Sequence, residues 1–120
     1  MYQEELTYKI RGAVFEVYRQ LGGGFLESIY QKALMLELVA QGLRISHEKP
    51  LVMYYKGQQV GEFRADIIVE DRVLLELKAQ KTLHPSSEAQ IINYLKVTGL
   101  NIGLLINFTW PKATVKRIAL

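Results

Sequence analysis

Asp66, Glu76 and Lys78 are the residues of this chain whose types and spacing could act together on a phosphate or a water. They lie in Ala65-Asp66-Ile67-Ile68-Val69-Glu70-Asp71-Arg72-Val73-Leu74-Leu75-Glu76-Leu77-Lys78, which reads as two strands around a tight connection, Glu70 to Arg72. With a three-residue loop, Val69 pairs with Val73 and Asp66 falls opposite Glu76, their Cβ atoms roughly 4.5–5.5 Å apart. Lys78, two residues on, shares that face. The other face carries Ala65, Ile67, Val69, Leu75, Leu77 and Ala79 as core. A two-residue loop would instead send the carboxylates to opposite faces, so the register decides. Facing carboxylates repel, and a cation should sit between them. Lys78 could serve. A divalent metal serves better, because Mg²⁺ accepts one or two carboxylates together with water and phosphate oxygens. The plain alternative is a solvated hairpin face with scattered charges.

Other candidates are weaker alone. Glu27 opens a helix, where a carboxylate already favours the helix dipole by about 0.3–1 kcal/mol; a role in a site needs that helix start to face the sheet. Tyr30 lies three residues on, on the same helix face, and by itself reads as core or rim. Gln90 and Tyr94 are four apart and also share a face; alone they read as a core-edge pair. His47 and His84 are too far apart for a local metal motif and read as surface residues. Gly22-Gly23-Gly24 is no phosphate loop, and neither a Walker pattern nor GxGxxG is present. Ser86 and Ser87 lack a local His or Asp arrangement and read as caps.

The elements that must position these residues follow from periodicity. Apolar residues from Leu6 to Leu21 mark a helix over 4–20. A second runs from about Phe25 to Gln41, with Leu26, Ile29, Tyr30, Ala33, Leu34 and Leu38 inward and Gly42 after it. Leu43 to His47 could form a short strand before Pro50, 51–55 is apolar and aromatic, and strands are expected at 59–69 and 73–79. Ser87 with Gln90 forms a capping-box signature for a third helix over 88–98, followed by a buried strand at 101–107 and an edge strand at 114–120. The order ααβββαββ indicates a mixed sheet with helices packed on it.

At 120 residues the chain reads as one domain, residues 1–120. Its 49% hydrophobic and 22% charged residues exclude disordered and low-complexity classes. The absence of cysteine excludes disulfides, thiolate zinc sites and cysteine nucleophiles, and fits a reducing, cytoplasmic setting. No run of apolar residues is long enough to span a membrane, and the polar start Met1-Tyr2-Gln3-Glu4-Glu5 is wrong for a secretory signal. A net charge of +3 and a pI near 9.2 suit a polyanionic partner without requiring one.

Glu27, Asp66, Glu76-Leu77-Lys78 and a later helix carrying Gln90 and Tyr94 together resemble the PD-(D/E)XK nuclease superfamily. Gly24-Phe25-Leu26-Glu27-Ser28-Ile29-Tyr30 resembles the motif that names the GxxExxY protein family. The likeness runs from Leu6 to Asn107-Phe108 and includes Tyr55-Lys56-Gly57, Asn93-Tyr94-Leu95-Lys96 and Leu104-Leu105-Ile106. It implies a restriction-endonuclease-like α/β core, a mixed sheet flanked by helices, and Mg²⁺- or Mn²⁺-dependent cleavage of phosphodiesters in DNA or RNA. Asp66, Glu76 and Glu27 would then ligate metal, with Leu77 offering a carbonyl and Glu27 acting through water. Lys78 would serve catalysis, and Gln90, Tyr94 and Tyr30 would bind substrate. Ala65 replaces the proline of the superfamily's name. Tyr18 and Ser87 stand where related sequences often carry histidine, so any contact those histidines make is missing here. So small a chain has little surface for base readout, which a homodimer or a substrate-supplying partner would provide. The rival reading is a non-catalytic nucleic-acid-binding or protein-interaction module on the same fold.

Overall fold

The computed structural model describes residues 3–120; Met1 and Tyr2, which begin the polar N-terminal stretch, lie outside the described residues. The helices α1 (Gln3–Leu21) and α2 (Glu27–Ala40) come first. Five strands follow: β1 (Ile45–His47), β2 (Pro50–Tyr55), β3 (Gln58–Arg64), β4 (Ile67–Val69) and β5 (Val73–Lys78). Then come α3 (Ser86–Thr98), β6 (Ile102–Phe108) and β7 (Ala113–Ala119).

β1-β4-β5-β6-β7 form a five-stranded sheet in that order, while β2 and β3 pair only with each other. Every neighbouring pair is antiparallel except β5 and β6. That parallel pair needs a crossover, and α3 provides it. α1 and α2 cover one face, where Leu6, Ile10, Val14, Tyr30, Leu34 and Leu38 meet Ile67, Leu75, Leu77 and Ile106. α3 covers part of the other, where Ile91 and Leu95 meet Ile68, Leu74 and Leu105. β5 and β6 are therefore covered on both sides, which is why they are nearly continuous apolar runs without alternation. The mixed sheet flanked by helices is the expected fold class.

The element order is ααβββββαββ and not ααβββαββ, because the short stretch before Pro50 forms a strand of its own, β1, and the stretch 59–69 is two strands in two different sheets. The chain leaves the ribbon at Ala65-Asp66. There the Asp66 carbonyl accepts hydrogen bonds from the Glu48 backbone N–H (3.2 Å), one step beyond the His47–Ile67 pair of β1 and β4, and from the Gln31 amide (3.3 Å). Ala65 consequently packs with Ile68 and Leu74 on the α3 side, not with Ile67 and Val69 as alternation from a single strand requires. Leu26 and Ile29, expected inward, are exposed, because α2 starts only at Glu27 and turns Tyr30 and Gln31 to the core. Ser87 is not a cap: α3 begins at Ser86, whose N–H donates to the His84 ring (3.1 Å).

α3 packs tightly on the sheet at Gly103, where a Cβ would sit 2.7 Å from the branched methyl Cγ2 of fully buried Ile91. Gly103→Ala should destabilise the protein by about 1–3 kcal/mol, the usual cost of overpacking. Thermal unfolding checks this, and an unchanged melting temperature would contradict the tight α3–β6 contact.

Candidate active site

The register of β4 on β5 pairs Val69 with Val73 and Ile67 with Leu75, as a three-residue loop demands. Glu70 and Asp71 hold that loop with positive φ, 53° and 51°. Arg44 secures it through its Nε and its backbone N–H, both 3.0 Å from Glu70 Oε2. One step beyond Ile67 and Leu75, the ladder opens and the carboxylates take it over. Asp66 Oδ2 accepts the Leu77 N–H at 2.7 Å, and Glu76 Oε1 accepts the Asp66 N–H at 3.4 Å. Each acid is thus tied to the other's strand, so the two face each other from fixed backbone.

Their environment opposes ionisation. Glu76 is only 7% exposed, and burial, reinforced by the Asp66 charge, pushes its carboxyl up to about 8. Burial also raises Asp66, against the opposing pull of the Leu77 N–H and the Lys78 and His47 charges. Glu27 at the start of α2 is raised by burial and by Asp66, while Lys78 lowers it. Lys78, half-buried at the end of β5, therefore acts on all three acids, yet among the described residues no ion pair closes on any of them. Nor do three His, Cys, Asp or Glu side chains among the described residues gather tightly enough to cage an ion unaided.

α3 brings Tyr94 to the same place. Burial and the charges of Glu76 and Asp66 raise its hydroxyl, and Gln90 hydrogen-bonds it. Gln90 itself is exposed. Tyr30 is not part of this face. It is fully buried, with its ring stacked on Phe108 (centroids 4.5 Å apart). Its hydroxyl donates to the Gly22 carbonyl (2.6 Å) and accepts from the Phe25 N–H (3.2 Å). Tyr30 therefore pins the glycine-rich turn between α1 and α2 and has no free group for a substrate, which corrects the sequence expectation.

Several supporting residues escaped the sequence reading. Gln31, buried one turn after Glu27, holds the Asp66 carbonyl; its four-residue spacing from Glu27 was the available signal. Asn107, buried in the apolar run of β6, accepts the Gln80 N–H and donates to the Gln80 carbonyl, both at 2.9 Å. It thus steadies the chain two residues after Lys78. Phe63 stacks on Tyr94 with ring centroids 3.8 Å apart. His47 and Glu48 lie close enough to influence Asp66, a proximity that only folding creates.

A model of the PD-(D/E)XK nuclease superfamily matches residues 4–118. The chain belongs to this superfamily. Two solved structures share its fold. SSO0001 is 18% identical with a TM-score of 0.63 over 77% of this chain and 48% of its own. An alkaline exonuclease, LHK-Exo, from Laribacter hongkongensis is 12% identical with a TM-score of 0.56 over 98% of this chain and 70% of its own. The chain therefore spans about half the length of SSO0001. Comparison with curated proteins gives no match. Nucleases of the superfamily act on nucleic acid and in general depend on divalent metal. The donors here suit such an ion. Two hard carboxylates stand side by side with no bonded cation, and Mg²⁺ needs only one or two carboxylates beside water and phosphate. No helix among the described residues is long and apolar enough to cross a membrane.

The raised Glu76 carboxyl fixes a pH dependence. The unfolded chain loses this proton near the ordinary glutamate value of 4.5, whereas the fold keeps it to about 8. Between those values the folded state binds more protons, so stability falls as pH rises, by at most about 1.4 kcal/mol per pH unit. Denaturant midpoints of metal-free protein across this window should fall more steeply for the parent than for Glu76→Gln. Equal slopes would contradict the buried, uncompensated acid.

Proposed function

We propose that this superfamily member, of the GxxExxY type, is a Mg²⁺- or Mn²⁺-dependent nuclease that hydrolyses phosphodiester bonds. One observation carries the reading: Asp66 and buried Glu76 are held face to face, and among the described residues no lysine or arginine forms an ion pair with either. Acids gathered where burial resists their ionisation cost stability, and such clusters mark functional sites.

Asp66 Oδ1 and Glu76 Oε2, the oxygens not engaged by the two backbone N–H groups, would hold the cation. Leu77 would offer its carbonyl, and Glu27 would reach the ion through water. When bound, the ion supplies positive charge against the phosphate and acidifies water. The remaining roles fall to the chain itself. Lys78 is held at the end of β5 opposite Asn107, close enough for its charge to act on all three acids, and would meet the negative charge that develops on the phosphate or orient the attacking water. Glu27 keeps that water within reach of the acids. Gln90 and Tyr94, on one face of α3, contact the substrate backbone or brace Lys78.

Groups that meet developing charge stabilise the transition state more than the bound substrate. Lys78→Ala should therefore reduce metal-dependent cleavage by about 10²–10³-fold while leaving nucleic-acid affinity nearly unchanged. A cleavage panel with Mn²⁺ and Mg²⁺ over single- and double-stranded DNA and RNA, run beside binding at two salt concentrations, measures both. A parent protein that cuts nothing, with Lys78→Ala affecting affinity alone, would leave the binding-module reading in its place.

A further inference from the structure

The β2–β3 ribbon has no role in the chemistry just described, yet it is unusually furnished. Its strands pair only with each other, outside the main sheet, and rest against α3. At its tip Tyr54, Tyr55 and Val60 are 67%, 64% and 63% exposed. Lys56 lies over the Tyr55 ring, with its Nζ 5.4 Å from the centroid. Between residues 49 and 64 the ribbon carries Lys49, Lys56 and Arg64 against a single acid, Glu62.

The faces of the ribbon are not equivalent. Leu51 pairs with Phe63, so these two share a face, and Met53 joins them; the register then shifts between Met53 and Tyr54, where Val60 is the extra residue on β3, and alternation along uninterrupted β2 carries the face on to Tyr55. Phe63 on that face stacks on Tyr94, whose hydroxyl feels the Glu76 and Asp66 charges. An aromatic and apolar track therefore runs from Tyr55 past Met53 and the Leu51–Phe63 pair to Tyr94, which lies near the carboxylate pair. Tyr55 lies four residues beyond Leu51, about 13 Å along the strand. Tyr54 points to the other face.

We propose that the β2–β3 ribbon is a docking arm for single-stranded nucleic acid, on which an unpaired base stacks against Tyr55 while its strand runs over Phe63 and Tyr94 toward Asp66 and Glu76. The final destination rests on the nuclease reading; the arm does not. Exposed aromatic rings beside cations are what unpaired bases on a polyanionic backbone require. A duplex keeps its base faces stacked inside the helix and offers them to no ring. A second copy of this chain would bring the same excess of cations against the arm, and like charges repel.

Binding of a fluorescent single-stranded oligonucleotide and of its duplex, in a chelator so that nothing is cut, tests the arm. The parent should bind the single strand more tightly. Tyr55→Ala should lose about 5- to 150-fold of that affinity, the range for one stacked base. Tyr55→Phe should keep it, and Tyr54→Ala on the opposite face should match the parent. Lys56→Ala should flatten the salt dependence by about 0.7 of a slope unit, as for one phosphate contact on a single strand. The proposal is overturned if the parent prefers duplex, if Tyr55→Ala binds as the parent does, or if Tyr55→Ala changes the oligomeric state instead. The cleavage panel separates the two readings. A Tyr55→Ala loss in a protein that cuts no substrate upholds the arm and removes the nuclease. Metal-dependent cutting with unaltered Tyr55→Ala binding does the reverse.

Discussion

Asp66 and Glu76 each accept a hydrogen bond from the backbone of the other's strand, and these bonds hold together two side chains whose charges repel. The arrangement is available only because the β4–β5 ladder stops at Ile67 and Leu75. Had β4 continued to Ala65, the Leu77 N–H would have met a backbone carbonyl, and Asp66 would have been an ordinary strand residue. Buried N–H groups must be paired. The place where the sheet opens is therefore also the place where a carboxylate is required.

Much of the surrounding structure keeps that opening in position. Gln31 from α2 and the Glu48 N–H from the end of β1 hold the Asp66 carbonyl on one side. On the other, Asn107 grips Gln80 and so fixes the exit of β5 after Lys78. Tyr30 fastens the turn before α2, which sets where Glu27 begins. The Glu88–Lys116 ion pair ties α3 to β7 beside the face that presents Tyr94. None of these residues needs to touch a substrate; together they give the acids, the lysine and the tyrosine one fixed geometry on rigid elements.

The carboxylate pairing was legible in the sequence because side-chain direction in a strand has a period of two residues. A three-residue loop at Glu70–Arg72 then settles the register. The helices were legible from their apolar spacing, and β5 and β6 from unbroken apolar runs bounded by turns. The split of 59–69 was not legible. Strand-like residues continue through Arg64, Ala65 and Asp66, and what diverts the chain is a pair of long-range bonds from Gln31 and Glu48. Tyr30 was misassigned for a related reason. The motif spacing marks it as special, but only the folded turn shows that its hydroxyl is spent on Gly22 and Phe25. The Phe63–Tyr94 stack joins residues from different elements, and no local pattern announces it.

The account stands on the claim that the Asp66–Glu76 pair is built for a cation. A ligand that binds only the folded state stabilises it by about 2.7 kcal/mol at a hundredfold excess over Kd. The most direct measurement is the shift in melting temperature on adding Mn²⁺ at a pH above 8, where Glu76 has lost its proton, in the parent and in Asp66→Ala. A clear rise is predicted in the parent and none in Asp66→Ala, each read against its own metal-free baseline, since the variant also leaves the Leu77 N–H without its acceptor. The same Mn²⁺ shift in both proteins would place the ion elsewhere and contradict the claim.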